Sequence, residues 1–311
     1  MKLVFLDRKS IGDDIDFSPF YQLGNVDEYN FSTPEEVPDR IQNADVIIVN
    51  KIPVNEQTIG HAANLKLVCV TATGTNNLDK TYLEQRGIAW RNVAGYSTES
   101  VAQHTFAMLF YLLEHLRYYD EYVAQGHYLN DTMFTHFDKR FRQINGMTWG
   151  IIGLGAIGRR VAEIARLFGA NIIYYSASGA APQEGYHQVD FDTLLSTSDI
   201  ISIHAPLNEH TQGLINSDAF LKMQKHTILL NLGRGPIVDE AALTDALKKK
   251  QIAAAGLDVL TMEPMSTNNP LTELLGNENL LITPHIAWAS VEARTRLMKI
   301  IEEQIRTFFH L

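Results

Sequence analysis

Cysteine is nearly absent from this chain of 311 residues, and the one present, Cys69, stands in the apolar run Leu67-Val68-Cys69-Val70. A single thiol excludes an intramolecular disulfide, and its neighbours mark it as a buried strand residue rather than a nucleophile. Positive charge is scarce as well. With 26 Lys and Arg against 36 Asp and Glu, a net charge of −10, the chain lacks the basic surface that neutralises phosphates, so no nucleic-acid partner is expected. No apolar run approaches the roughly 18 residues of a membrane span. The first residues show neither the basic stretch nor the small-residue cleavage site of a secretion signal. The expectation is no membrane and a cytoplasmic location. Eleven histidines are present, but none lies four residues from another as on a metal-binding helix face, so no metal is expected.

What is there is 45% hydrophobic, enough for a substantial core in two domains. Apolar, β-rich runs alternate with helical patterns from end to end, which reads as α/β with parallel sheets. The first third offers strands at residues 2–7, 46–50, 67–72 and 89–91, with helices at 55–63 and 78–86 between them. From Thr98 a long helix is expected. Ser97 or Thr98 can cap it, and Val101, Thr105, Met108, Leu112 and Leu116 form one apolar stripe. Phe106, Leu109, Phe110 and Leu113 widen that stripe beyond one face. The second face either meets a partner subunit or is buried between the domains. A second α/β unit then offers strands at 148–152, 171–175, 200–204, 228–231, 254–257 and 280–283, with helices such as 157–168 and 240–249. A final helix, 290–308, can return to the first domain and make it discontinuous.

The stretch Gly153-Leu154-Gly155-Ala156-Ile157-Gly158 follows a strand and opens a helix, which is the dinucleotide-binding pattern. Gly153 suits the tight turn, Gly155 lets backbone approach a pyrophosphate, and Gly158 allows close helix–strand contact. The free N–H groups and positive dipole at the helix start, at Ala156 and Ile157, would hold the phosphates. At the end of the next strand, where an acidic residue usually binds the adenosine ribose, this chain has Ser176. A serine does not repel a 2′-phosphate, yet no lysine or arginine follows it. NAD(H) is therefore favoured slightly and NADP(H) stays open.

Three later motifs each put a polar group at a strand end, where open α/β sheets hold ligands. Arg234 lies between glycines in Asn231-Leu232-Gly233-Arg234-Gly235, and its planar fork matches a carboxylate. Asp258 ends the strand Gly256-Leu257-Asp258-Val259 and is placed to hold a nicotinamide carboxamide. Glu263-Pro264 follows it, and His285 comes after the strand at 280–283. Reducing a 2-keto acid needs a cation for the carboxylate, a proton donor for the carbonyl oxygen and a hydride source. Arg234, His285 and the glycine motif supply one candidate each. Glu263, if hydrogen-bonded to His285, would fix its tautomer.

In this order, and with His204-Ala205-Pro206 and Thr211 between them, the motifs resemble those of the D-isomer-specific 2-hydroxyacid dehydrogenases over nearly the whole chain. The stretches 96–103 and 285–290 look like the glycerate dehydrogenase (hydroxypyruvate reductase) branch. The resemblance implies two Rossmann-like or flavodoxin-like domains with parallel sheets and an interdomain cleft. Residues 1–98 with 288–311 would form a substrate-binding domain, and 99–287 an NAD(P)-binding domain. It implies that Arg234, Glu263 and His285 are catalytic, with Arg234 and His285 also binding substrate. It assigns Gly153, Gly155, Ala156, Ile157, Gly158, Ser176, His204, Ala205, Pro206, Thr211, Asn231, Leu232, Gly233, Asp258 and His285 to the cofactor. It further implies backbone contacts from Thr73 and Gly74 to the substrate carboxylate, and a homodimer through the helix from Thr98. Trp288 is a candidate for shaping the pocket. Formate dehydrogenases share the architecture but carry glutamine where this chain has Glu263. The remaining alternative is a non-catalytic, NAD(H)-sensing corepressor on the same fold, which would not require Arg234, Glu263 and His285 together.

Overall fold

A computed structural model of the chain describes residues 1–179 and 182–311. Its strands are β1 (Lys2–Phe5), β2 (Asn25–Glu28), β3 (Val46–Val49), β4 (Leu67–Val70), β5 (Ala89–Arg91), β6 (Thr148–Ile152), β7 (Asn171–Tyr175), β8 (His187–Gln188), β9 (Ile200–Ile203), β10 (Ile228–Asn231), β11 (Ala254–Leu257) and β12 (Leu280–Ile282). The helices are α1 (Ser18–Tyr21), α2 (Val37–Arg40), α3 (Glu56–Ile59), α4 (Lys80–Gln85), α5 (Thr98–Leu113), α6 (Leu116–Ala124), α7 (Ala156–Leu167), α8 (Phe191–Thr197), α9 (Ser217–Lys222), α10 (Glu240–Lys248) and α11 (Val291–Phe309). No described helix is long and apolar enough to cross a membrane. The chain divides into two compact units, Met1–Ser97 with Trp288–Leu311, and Thr98–Ala287.

The smaller unit is built on a parallel sheet in the order β2-β1-β3-β4-β5. Its inner strands are buried on both faces, as parallel sheets require. Leu3, Phe5, Val46, Ile48, Leu67 and Cys69 face one core, and Val4, Leu6, Ile47, Val49, Val68 and Val70 face the other. Burial pushes the Cys69 thiol up to about 12, which leaves it protonated and inert. Helix α11 supplies Ala293, Leu297, Met298, Ile301 and Ile305 to the first core, a stripe of helical period. Ser290 caps its start by accepting from the Ala293 N–H. Arg294 pins it to the opposite end of the sequence through Asp14 (2.5 and 2.8 Å) and the Ile11 carbonyl (2.7 Å). Trp288 sits edge-on to Tyr96 at 6.3 Å between ring centroids and packs on the same core.

The larger unit holds a seven-stranded parallel sheet in the order β12-β11-β10-β9-β6-β7-β8. The chain enters at β6, runs outward through β7 and β8, then returns to the other side of β6 and continues through β9 to β12. The order reverses between β6 and β9, and ligands of open α/β sheets bind at such a reversal, beyond the carboxyl ends of the strands.

Two expectations about local structure change. Strands β2 and β8 lie at sheet edges with polar sequences, so neither shows the apolar run by which inner strands are read. The long helix from Thr98 stops at Leu113, because His115 takes a left-handed backbone (φ +52°). Leu116 therefore leaves the stripe and is exposed. The apolar side of α5 is spent within its own unit: Phe106 packs on Trp149 at 5.1 Å between centroids, and Met108 and Leu112 close over Gly256 of β11.

Leu297 is fully buried at the centre of the joint between α11 and the small sheet. Leu297→Ala should destabilise the smaller unit by about 2–5 kcal/mol, the usual range for a buried Leu-to-Ala change. The check is the denaturant midpoint of that unit's unfolding transition; a shift within experimental error would show that α11 does not hold the unit together.

Candidate active site

Six positions singled out in the sequence come to the carboxyl edge of the larger sheet. Across the sheet, His285 follows β12, Asp258 follows β11, Arg234 follows β10, His204 follows β9, Gly153 follows β6 and Ser176 follows β7. Thr73 and Gly74 belong to the smaller unit, in the turn after β4. There the Thr73 hydroxyl donates to the Val93 carbonyl (2.9 Å) and Asn92 donates to the Thr73 carbonyl (2.6 Å).

The glycine turn is shaped by contacts that exclude side chains. Gly153 has φ +91°, and an added Cβ would lie 2.7 Å from the backbone of Ala205. At Gly158 an added Cβ would collide with the Gly153 carbonyl oxygen, while at Gly155 it would meet open space. Helix α7 starts there with Gly155 as its N-cap and no side chain on its first N–H groups, so Ala156 and Ile157 offer donors to an anion. Beside this turn both ring nitrogens of His204 are buried without a hydrogen-bond partner, although part of the residue reaches the surface. Burial alone holds this imidazole down to about 3, so it stays neutral. An open glycine turn, an uncapped helix start and an orphaned imidazole fit a dinucleotide's pyrophosphate and the groups next to it.

Ser176 pairs with Ser178 at 3.1 Å between hydroxyls. No cation follows Ser176 in sequence, but the fold ties one from helix α7 to the glycine turn. Arg159 donates to Gln183 (3.2 Å), and Gln183 donates to the Leu154 carbonyl inside the glycine turn (3.0 Å). Sequence reasoning misses this, because the cation precedes Ser176 by seventeen residues.

The glycines flanking Arg234 are required by contact rather than by backbone conformation. Neither has a positive φ; both allow close approach. An added Cβ at Gly233 would lie 2.8 Å from the Ala205 carbonyl oxygen, and one at Gly235 would strike the Leu260 carbonyl. Asn231 is fully buried, and its side chain builds the turn rather than reaching outward: it donates to the Arg234 carbonyl (3.0 Å) and accepts from the Gly233 N–H (3.1 Å). Thr211 is likewise turned inward, donating to the Pro206 carbonyl (2.7 Å) and accepting from Asn208 (2.9 Å). Leu232 is buried under the same turn.

His285 and Glu263 meet. His285 Nδ1 lies 2.7 Å from Glu263 Oε2, and Glu263 Oε1 accepts from the Leu260 N–H at 3.0 Å. Both side chains keep some exposure, 23% and 31%, so the pair is reachable. The His285 backbone is left-handed (φ +56°), a conformation that costs a non-glycine residue roughly 1 kcal/mol. Asp258 holds it there. The His285 N–H donates to the Asp258 carbonyl, and the Asp258 carboxylate accepts from Ile286 N–H, Ala287 N–H (2.9 Å each) and the Thr283 hydroxyl (2.6 Å). Asp258 is 2% exposed. The sequence expectation for it is a cofactor contact; in the fold it is the brace of the His285 loop.

Comparison with known proteins finds relatives over nearly the whole chain. Residues 106–287 match the family model described as the NAD-binding domain of D-isomer specific 2-hydroxyacid dehydrogenases. A hydroxypyruvate reductase of Blautia hydrogenotrophica is 36% identical over 99% of this chain and 97% of its own length. A glycerate dehydrogenase of Methylorubrum extorquens is 37% identical over 98% and 93%. Among solved structures, the D-lactate dehydrogenase of Aquifex aeolicus complexed with NAD and lactic acid superposes with a TM-score of 0.86 at 27% identity, covering 100% of this chain and 96% of that one. On its motifs, its two parallel sheets and its full-length relatives, this chain belongs to the D-isomer specific 2-hydroxyacid dehydrogenase family.

Proposed function

We propose that the chain interconverts a small 2-keto acid and the corresponding D-2-hydroxy acid, with hydroxypyruvate, glyoxylate and pyruvate as the substrates to rank. A bound nicotinamide would supply or accept the hydride at C2. Arg234 fixes the substrate carboxylate by two parallel hydrogen bonds. His285 gives its Nε2 proton to the carbonyl oxygen as C2 is reduced, and takes it back in the oxidative direction. Glu263 accepts from Nδ1, so the nitrogen that exchanges the proton is always Nε2. The observation that carries this reading is the 2.7 Å bond between His285 and Glu263, at the same sheet edge as Arg234 and the glycine turn.

The test follows loss of reduced nicotinamide absorbance with NADH or NADPH against hydroxypyruvate, glyoxylate, pyruvate and phenylpyruvate. Turnover with at least one of the small acids is expected. His285→Ala should lose at least about 10²-fold in kcat while binding cofactor normally, and Arg234→Ala should raise KM and lower kcat together. Wild-type kinetics in either variant would remove that residue from the site. Silence across the panel with intact NADH binding would favour the sensor reading.

The family domain supports NAD(H). We infer that the ribose end also admits NADP(H), since Ser176 carries no charge to repel a 2′-phosphate and Arg159 is tied to the glycine turn through Gln183. Ser176→Asp should move the ratio of NADPH to NADH dissociation constants toward NADH by about tenfold or more, some 1.4 kcal/mol. Fluorescence titration of the reduced cofactors reads it, and an unmoved ratio would place the ribose elsewhere.

A second copy of the chain is the partner we infer. A group of exposed apolar side chains lies beyond α5, in residues 116–141: Leu129, Phe134 and Phe137 are 85%, 83% and 79% exposed. In the same segment Tyr118, His136 and Tyr122 stack on one another, with 3.9 Å between the His136 and Tyr122 centroids, so it has its own internal order. Exposed aromatics on an ordered element suit a self-complementary interface. Light scattering should give twice the chain mass, and Phe134→Glu with Phe137→Glu should give the monomer; a monomeric wild type would rule the interface out.

A further inference from the structure

We propose that His104, on helix α5, is a positioning residue for His285, acting through the Thr283 hydroxyl and the Asp258 carboxylate. The inference rests on the acid–base reading of His285 and extends it to a residue some 180 positions earlier in the sequence.

The direction of each hydrogen bond is fixed by donor counting. The Thr283 hydroxyl has one hydrogen and lies 2.6 Å from Asp258 Oδ1, which can only accept. That hydrogen is committed to Asp258. His104 Nε2, 3.1 Å from the same hydroxyl oxygen, must then be a donor, and the Nε2–H form of the imidazole is selected. His104 Nε2 also stands 3.6 Å from Asp258 Oδ1, so its positive edge faces the carboxylate directly. Beyond Asp258 the line reaches the Ile286 and Ala287 amides, which hold the His285 backbone left-handed.

Helix α5 grips that loop at a second point. Ser100, one turn before His104 and on the same face, donates to the Ala287 carbonyl at 2.6 Å. Neighbouring positions of that face, Val101, Thr105 and Met108, are buried. A polar side chain that is 20% exposed on this face and spends its Nε2–H on Thr283 is explained by what it holds. Without it the Thr283 hydroxyl is free to turn away and Asp258 loses one of its three donors. The 283–287 loop then slackens, and His285 Nε2 spends less time aligned with the carbonyl oxygen.

The test compares His104→Phe, which keeps bulk and removes the donor, with His104→Gln, whose amide nitrogen can reach the Nε2 position. His104→Phe should lower kcat by about 10- to 100-fold, in the range expected for misalignment of a reacting group. The NADH dissociation constant and the keto-acid KM should stay within about twofold of wild type. His104→Gln should recover most of kcat. Hydrogen exchange at the Ile286 and Ala287 amides, which needs no turnover, should speed up in the Phe variant and return toward wild type in the Gln variant. Should His104→Phe fold poorly, Thr283→Val breaks the next link with His104 in place, and adding His104→Ala to it should cost nothing further if the two act in series. A His104→Phe enzyme with wild-type kcat, equal losses in Phe and Gln, unchanged amide exchange or additive losses with Thr283→Val would each overturn the proposal. His285→Ala is assayed alongside: if it turns over normally, the acid–base reading itself has failed, whereas an inactive His285→Ala beside a fully active His104→Phe sinks only the role of His104.

Discussion

The carboxylate of Asp258 is the interaction on which the rest of the site depends. It is nearly sealed from water, where a charge is tolerated only if its lone pairs are answered. Two backbone amides and one hydroxyl answer them, and all three belong to the short loop after β12. The carboxylate thereby becomes the nucleus around which that loop is wound. The Asp258 backbone carbonyl completes the arrangement by accepting from the His285 N–H. The left-handed backbone of His285, unfavourable in isolation, is what a loop must adopt to bring two successive amides onto one carboxylate.

From this brace the geometry spreads along the sheet edge. His285 is oriented by Glu263, Glu263 is anchored by the Leu260 N–H, and Leu260 is pressed against Gly235, the neighbour of Arg234. On the other flank Gly233 lies against the Ala205 carbonyl, and Ala205 lies against Gly153 at the head of the glycine turn. A line of close backbone contacts thus runs from β12 to β6, and the sequence places a glycine at three of its crossings, Gly235, Gly233 and Gly153. Parallel strands make this arrangement available, because they bring every strand's carboxyl end to the same edge.

Motifs that act through their neighbours in sequence are legible from the residues alone. The strands at 148–152, 171–175, 228–231 and 254–257 are inner or near-inner, so their apolar runs mark them unambiguously, and the glycine turn follows directly from β6. What the sequence hides depends on residues far apart in the chain. Arg159 reaches the glycine turn through Gln183, and His104 reaches the His285 loop through Thr283; neither pair has a spacing that would announce it. A weak signal does exist for His104: it interrupts an apolar stripe one turn after Ser100, and an unexplained polar group on a buried helix face invites the question of its partner. The length of α5 escapes the pattern for a different reason. The apolar stripe continues in phase to Leu116, but periodicity reports which side chains could face a core and not where the backbone turns, and His115 turns it.

Helix α5 then carries two kinds of side chain with two jobs. Its apolar side, from Val101 to Leu112, is spent on α7, Trp149 and β11, which makes the helix part of the larger unit's core rather than a free surface. Its polar positions Ser100 and His104 reach the loop that carries His285. A rigid helix with a buried apolar face is a firm base from which to hold a loop, because moving it would disturb packed aromatic contacts and not only two hydrogen bonds. Beyond His115 the backbone turns away, and the segment after it carries its apolar side chains on the surface.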